Sequence, residues 1–87
     1  GLVRFDAEFS VLLCRGRSGE LVFWDAPRNV HEGGILARSE VPAPPSLAAA
    51  VEQARALSRR IAEALDYVGV LALEFFACGE EAVFNEM

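Results

Sequence analysis

A carboxylate stands inside an apolar run. From Val68 to Ala77 the chain reads Val-Gly-Val-Leu-Ala-Leu-Glu-Phe-Phe-Ala, and Glu74 is the only charged member of that stretch. Stripping a carboxylate of water costs several kcal/mol unless it is paired, hydrogen-bonded or metal-bound, so Glu74 needs a partner. Downstream, Cys78-Gly79-Glu80-Glu81 turns the chain back into Ala82-Val83-Phe84-Asn85-Glu86. If this hairpin closes with Cys78 opposite Ala82 around the three-residue loop Gly79-Glu80-Glu81, Glu74 falls opposite Glu86 on the same face. Like charges facing each other across a ladder repel, and a hard divalent cation such as magnesium converts that repulsion into coordination. Two other readings stay open on the residues alone: Glu74 pairs with an arginine, or the register differs by one and the carboxylates part. Asn85 adds a possible amide ligand beside Glu86, although regular strand alternation turns it to the other face.

The remaining candidates are weaker by themselves. His31, the single histidine, lies in a glycine-rich stretch that can approach a ligand, but a lone loop histidine is by default solvated or locally bonded. Arg15, at a strand end, can meet an anion or simply be solvated. Gly16 to Gly19 lacks the lysine of a phosphate-binding loop and the strand-to-helix setting of a dinucleotide fingerprint. Trp24 and the phenylalanines read as core, and Glu80-Glu81 as an exposed acidic turn.

These residues need a scaffold, and the hydrophobic pattern supplies one. Residues 5–14 form a strand in which Phe9, Val11 and Leu13 share one face and Glu8, Ser10, Leu12 and Cys14 the other. Residues 15–19 turn it into a return strand over 21–24. An irregular loop over 27–34 leads to a short strand over 35–41. Pro42-Ala43-Pro44-Pro45 breaks the chain, Ser46 takes the N-cap position, and a helix runs from about 47 to about 66. Its expected buried stripe is Leu47, Val51, Ala54, Leu57, Ile61 and Leu65, with Arg55, Arg59, Arg60 and Glu63 in solvent. Residues 67–77 read as a central strand buried on both faces, and residues 82–86 as its hairpin partner. The fold class is α+β, an antiparallel sheet with one long helix packed on one face.

Composition narrows the function. The 87 residues are 53% hydrophobic and carry a formal net charge of −5 with no lysine. The isoelectric point is about 4.7 and the mean hydropathy +0.27. One small domain fits that length, and its apolar excess asks for cover from a partner or from the rest of a longer protein, so residues 1–87 read as a single partial domain. An acidic chain does not track a phosphate backbone, so no nucleic acid is expected. No apolar run reaches the roughly 20 residues that cross a bilayer, so no membrane is expected and the default location is cytoplasmic. Cys14 and Cys78 have neither zinc spacing nor a disulfide framework and read as free, buried thiols.

Several of these segments together resemble a known family. Phe5-Asp6-Ala7-Glu8-Phe9-Ser10-Val11, Arg15-Gly16, Asn29-Val30-His31-Glu32-Gly33-Gly34-Ile35-Leu36, Tyr67-Val68-Gly69-Val70, Leu73-Glu74-Phe75-Phe76 and Asn85-Glu86-Met87 resemble the ATP-grasp domain of the N5-carboxyaminoimidazole ribonucleotide synthetases. The resemblance covers all 87 residues, and Asn-Val-His-x-x-Gly-Ile-Leu is its most discriminating part. It implies a fragment of the C-terminal ATP-grasp subdomain in which Glu74 and Glu86 ligate magnesium. It also implies that Glu8, His31, Asn85 and Glu86 contact ATP and that Val3 lies in the segment whose backbone reads the adenine edge. The implied reaction is that of a ligase of purine biosynthesis. Bicarbonate is phosphorylated by ATP to carboxyphosphate, and the carboxyl group passes to the amine of 5-aminoimidazole ribonucleotide, leaving ADP and phosphate. The implied partners are these small molecules, the remainder of the enzyme and, at full length, a second copy in a homodimer. No catalytic residue is expected within the fragment, because the phosphate-holding lysines and the substrate segment lie outside it in the family. The isolated 87 residues are therefore expected to be inactive. Where the family usually carries Asp or Asn, this chain has Gly33. The rival readings are another ATP-grasp ligase, such as a biotin carboxylase-like enzyme, and a non-catalytic α+β interaction module.

Overall fold

The computed structural model describes residues 5–87. Val3 lies outside the described residues. The elements in chain order are β1 (Ala7–Arg15), β2 (Leu21–Phe23), β3 (Arg28–Glu32), β4 (Ile35–Glu40), a 3-10 turn (Pro45–Leu47), α1 (Ala48–Ala64), β5 (Gly69–Cys78) and β6 (Glu81–Glu86). The six strands form one antiparallel sheet in the order β4-β3-β1-β5-β6, and β2 pairs with the far end of β1. β1 is the spine. One of its edges pairs with β5 along its whole length, and the other meets β3 at Glu8 and Phe9 and β2 from Leu13 to Arg15.

One face of the sheet makes the core. Phe9, Val11 and Leu13 of β1 and Leu71, Leu73, Phe75 and Ala77 of β5 are buried under α1, as period-two alternation requires. The opposite face has no helix. There Val70 and Ala72 are exposed while Glu74 and Phe76 are half-buried, so β5 is a central strand in its pairing but is buried on one face only. The expectation of a strand buried on both faces fails because, among the described residues, no element covers the second side; only Phe5 packs there, its ring stacked on Phe76 at 4.2 Å. The apolar residues of that side, including Val22, Trp24 and Val70, stand open.

The helix keeps the first half of the expected stripe, with Leu47, Val51 and Ala54 buried, and departs from it in the second half. Ala50, Val51, Ala54, Ser58 and Ala62 are buried, Leu57 and Ile61 are half-buried on the flank, and Leu65 is 55% exposed just past the helix end. Both stripes have helical spacing. The sheet already presents Phe9, Phe75, Leu13 and Leu73 to this layer, so the volume left for the helix suits small side chains. Ser46 is not a cap either. It lies inside the 3-10 turn, and neither that turn nor α1 has a side-chain capping bond.

The stretch expected as an irregular loop over 27–34 is in fact a strand and a tight turn. β3 and β4 form a hairpin across Gly33 and Gly34, whose φ values of 59° and 80° are what a two-residue type I′ turn demands. A Cβ at Gly33 would meet nothing within 4 Å, so the position needs the left-handed backbone region that Gly, Asn and Asp all visit. At the other end of the sheet, Arg15 is neither solvated nor an anion site. Its Nη1 donates to the Tyr67 carbonyl at 2.9 Å and reaches Asp66 at 3.3 Å, tying the end of β1 to the link between α1 and β5. Cys14 and Cys78 form no disulfide and are half-buried rather than buried.

Candidate functional site

Glu74 does face Glu86, by a route that differs from the expected one in two places. The β5–β6 turn has two residues, with Cys78 opposite Glu81 and Ala77 opposite Ala82. Carried on regularly, that register would set Glu74 against Asn85. A bulge between Phe75 and Glu74 intervenes: Phe75 pairs with Phe84, Glu74 with Glu86, and Asn85 is the extra residue with no partner in the ladder. Asn85 thus sits exposed in the bulge beside Glu86.

The pair has the electrostatics of two carboxylates forced together. Glu74 is held above its ordinary carboxylate value, chiefly by the hydrogen bond between its side chain and that of Glu86. Partial burial and the negative charges of Glu86 and Glu8 act in the same direction, and His31 opposes them. Among the described residues no arginine reaches Glu74. The arginine ion pairs are Arg15–Asp66, Arg28–Glu40, Arg38–Glu32 and Arg38–Glu40.

Beside this pair, on the same helix-free face, β1 brings up Glu8. It is diagonal to Glu74, since Ser10 pairs with Glu74 and Glu8 with Phe76. Glu8 Oε2 lies 2.5 Å from His31 Nδ1, so the lone histidine is locally bonded, to a residue expected to share its site. That contact fixes the ring and leaves Nε2 as its second polar atom. Glu8 and His31 also line a cleft of about 430 Å³ together with Asn29, Arg38 and Phe76. A larger cleft of about 990 Å³ lies on the helix side, where Arg55 and Arg59 stand over the Phe23 ring. It is open and contains none of the acidic residues of the site.

Glu8, His31, Glu74 and Glu86 therefore converge, Asn85 lies at the rim, and Val3 is outside the described residues. Two members of this face were not anticipated as functional. Ser10 is buried opposite Glu74, and Asn29 pairs in register with Glu8. Asn29 Nδ2 donates to Ser10 Oγ at 2.7 Å, and Ser39 Oγ donates to Asn29 Oδ1 at 3.0 Å. The alternation Glu8/Ser10 and Asn29/His31 was the available signal, and reading residues 27–34 as a loop hid the second half of it.

Two carboxylates without a cationic partner suit a hard metal ion that takes oxygen ligands. Among the described residues no group of three or more His, Cys, Asp or Glu side chains is arranged to hold a metal. The remaining oxygens would have to come from a ligand or from water, which is how nucleotide-bound magnesium is usually held. A family model described as the ATP-grasp domain matches residues 1–87. The chain belongs to the ATP-grasp family. Members of that family use ATP together with a metal ion, in keeping with the acidic face just described.

Similar proteins narrow the comparison within the ATP-grasp family. An N5-carboxyaminoimidazole ribonucleotide synthase of Brucella melitensis is 51% identical over 76 residues, which is 87% of this chain and 21% of that protein. The crystal structure of an N5-carboxyaminoimidazole ribonucleotide synthetase from Thermus thermophilus superposes with a TM-score of 0.90 at 55% identity, covering 100% of this chain and 24% of that one. The crystal structure of the ADP complex of another such synthetase gives a TM-score of 0.85 at 35% identity, covering 98% and 22%. The chain thus spans less than a quarter of the length of each of these three proteins. The α+β class, the antiparallel sheet and its single helix agree with the ATP-grasp subdomain expected from the sequence. No helix among the described residues is long and apolar enough to cross a membrane.

Proposed function

We propose that these 87 residues form a single partial ATP-grasp domain, the metal- and nucleotide-holding wall of a ligase that carboxylates 5-aminoimidazole ribonucleotide with bicarbonate at the expense of ATP. The observation that carries this reading is the juxtaposition of Glu74 and Glu86 on the helix-free face, with the Glu8–His31 pair one strand away. Glu74 and Glu86 would hold magnesium. The ion, when bound, neutralises and orients the nucleotide phosphates for attack. Glu8 fixes the His31 ring through Nδ1, so that Nε2 is held toward whatever occupies the cleft, while Asn85, displaced from the ladder by the bulge, contributes its amide beside Glu86. The helix side keeps the wall rigid, because a site built on packed strands holds its geometry better than one built on loops. The activity belongs to the full-length enzyme, a cytoplasmic homodimer in this reading. Charge on a transferring phosphoryl group needs cations from more than one wall, so the 87 residues alone are inactive.

The test uses the full-length enzyme. Glu74→Gln keeps the shape and removes the charge, so it should leave the fold intact, raise the magnesium requirement and remove most bicarbonate- and substrate-dependent phosphate release. An unchanged magnesium dependence would overturn the reading.

A further inference from the structure

We infer that Ser10 is a positioning residue for the metal carboxylate Glu74, and that Asn29 and Ser39 set the direction in which its hydroxyl points. This rests on the metal reading of Glu74 and Glu86 given above. Ser10 is the residue directly opposed to Glu74 across β1 and β5, and only 9% of it is exposed. Directly opposed residues have Cβ atoms roughly 4.5–5.5 Å apart, within reach of a hydroxyl and a carboxylate.

The hydrogen-bond chain has a sense. Ser39 Oγ donates to Asn29 Oδ1, and Asn29 Nδ2 donates to Ser10 Oγ, so each donor faces toward the acidic pair. Ser10 Oγ, having accepted, keeps its own hydrogen for the next acceptor, and Glu74 is the residue across the ladder. A hydroxyl that donates to one carboxylate oxygen favours the ionised form and leaves the second oxygen for a cation. Three strands contribute to this chain, so the orientation is held by sheet register instead of by a mobile loop. Asn29 has a second consequence. It lies opposite Glu8 in the ladder, so the chain runs beside the Glu8–His31 pair.

The experiment measures metal binding directly. Mn²⁺ is titrated into the full-length enzyme in the presence of ADP, and binding is read from the loss of the free-ion EPR signal. Ser10→Ala should weaken Mn²⁺ binding roughly tenfold, the scale on which partners of metal ligands act. Ser10→Thr should restore most of that affinity because it keeps the hydroxyl, and Asn29→Ala should weaken binding in the same direction as Ser10→Ala. Thermal midpoints of the metal-free variants should stay close to that of the parent. Wild-type Mn²⁺ affinity in Ser10→Ala, with Glu74→Gln impaired, would overturn the inference and leave the metal reading standing. Wild-type affinity in Glu74→Gln would overturn both. A Ser10→Thr variant as weak as Ser10→Ala, or an Asn29→Ala variant with wild-type affinity, would show that the hydroxyl and its orientation are not the agents.

Discussion

Replacing Glu86 by Gln should make the metal-free enzyme more stable while disabling it. Two unit charges about 5 Å apart repel by about 0.8 kcal/mol in bulk water and about 3 kcal/mol at an effective dielectric of 20. Glu86 is exposed and Glu74 only half-buried, so the lower end applies, in line with the roughly 0.2–1 kcal/mol measured for opposed pairs on sheets. In a protein of a few hundred residues about 1 kcal/mol moves the midpoint by only about 2–4 °C. The measurement is a thermal melt of the full-length enzyme in chelator at pH 7, where Glu86→Gln should melt one or two degrees above the parent by this scale. The pH dependence supplies the sign. Glu74 has a folded-state pKa raised by its bond to Glu86, so the folded protein holds that proton more tightly than the unfolded chain does. Metal-free stability from this source therefore rises as pH falls through the raised value toward the ordinary carboxylate value, and the gain is absent above the raised value. Glu86→Gln should flatten that segment of the profile, and it should lose at least about 100-fold in turnover with magnesium and ATP. A metal-free Glu86→Gln enzyme that melts below the parent, with an undiminished pH response, would show that the two carboxylates do not repel in the folded protein.

Ser58 is fully buried and its hydroxyl has no hydrogen-bond partner among the described residues, so Ser58→Ala should be neutral or stabilising by up to about 1 kcal/mol, read from denaturant midpoints. Leu73→Ala should cost about 2–5 kcal/mol and Leu65→Ala no more than about 0.5 kcal/mol. Equal losses at the two positions would mean that the helix buries its large residues after all. Glu40 is held below its ordinary value, first by its hydrogen bond from Arg28; loss of water around the carboxyl opposes this, and the positive charges of Arg28 and Arg38 add to the lowering. The stabilisation is present above the ordinary carboxylate value and fades as pH falls through the lowered one. Arg28→Met should return the Glu40 carboxyl titration, followed by carbon NMR, toward the usual range.

Much of the scaffold could be read from periodicity, because alternation along β1 and a helix bounded by prolines are local signals that tertiary packing did not override. Phe9, Val11 and Leu13 fell on the buried face as expected. The expected helix stripe held in its first half, where Leu47, Val51 and Ala54 are buried, and gave way in the second, where Ser58 and Ala62 are buried and Leu57 and Ile61 only flank the core. Leu57, Ile61 and Leu65 share the spacing of Ala54, Ser58 and Ala62, and the choice between them depends on the sheet's side-chain volume, which one segment's sequence does not carry. β3 was hidden because a proline before it and two glycines after it look like loop punctuation, whereas here they bound a strand. Glu74 opposite Glu86 was reached through a loop one residue too long and a missing bulge, and the two departures cancelled. The family resemblance pointed to Glu8 and His31, which no spacing argument had joined. Ser10 and Asn29 escaped because a hydroxyl and an amide carry no net charge and reveal themselves only once register is known.

The bulge at Asn85 bears on how hairpins of this kind are compared and redesigned. Side chains alternate faces with period two, so what keeps Glu86 across from Glu74 is the parity of the residues between them, not the length of the turn alone. A chain that gained one residue at Gly79-Glu80 and lost the bulge would show the same two carboxylates to the ligand, with a different turn and a straighter edge strand. Gaps placed in the turn and gaps placed at the bulge are thus two descriptions of one geometric constraint. A one-residue insertion or deletion in this hairpin that lacks its compensating partner would shift the register and turn Glu86 away from Glu74.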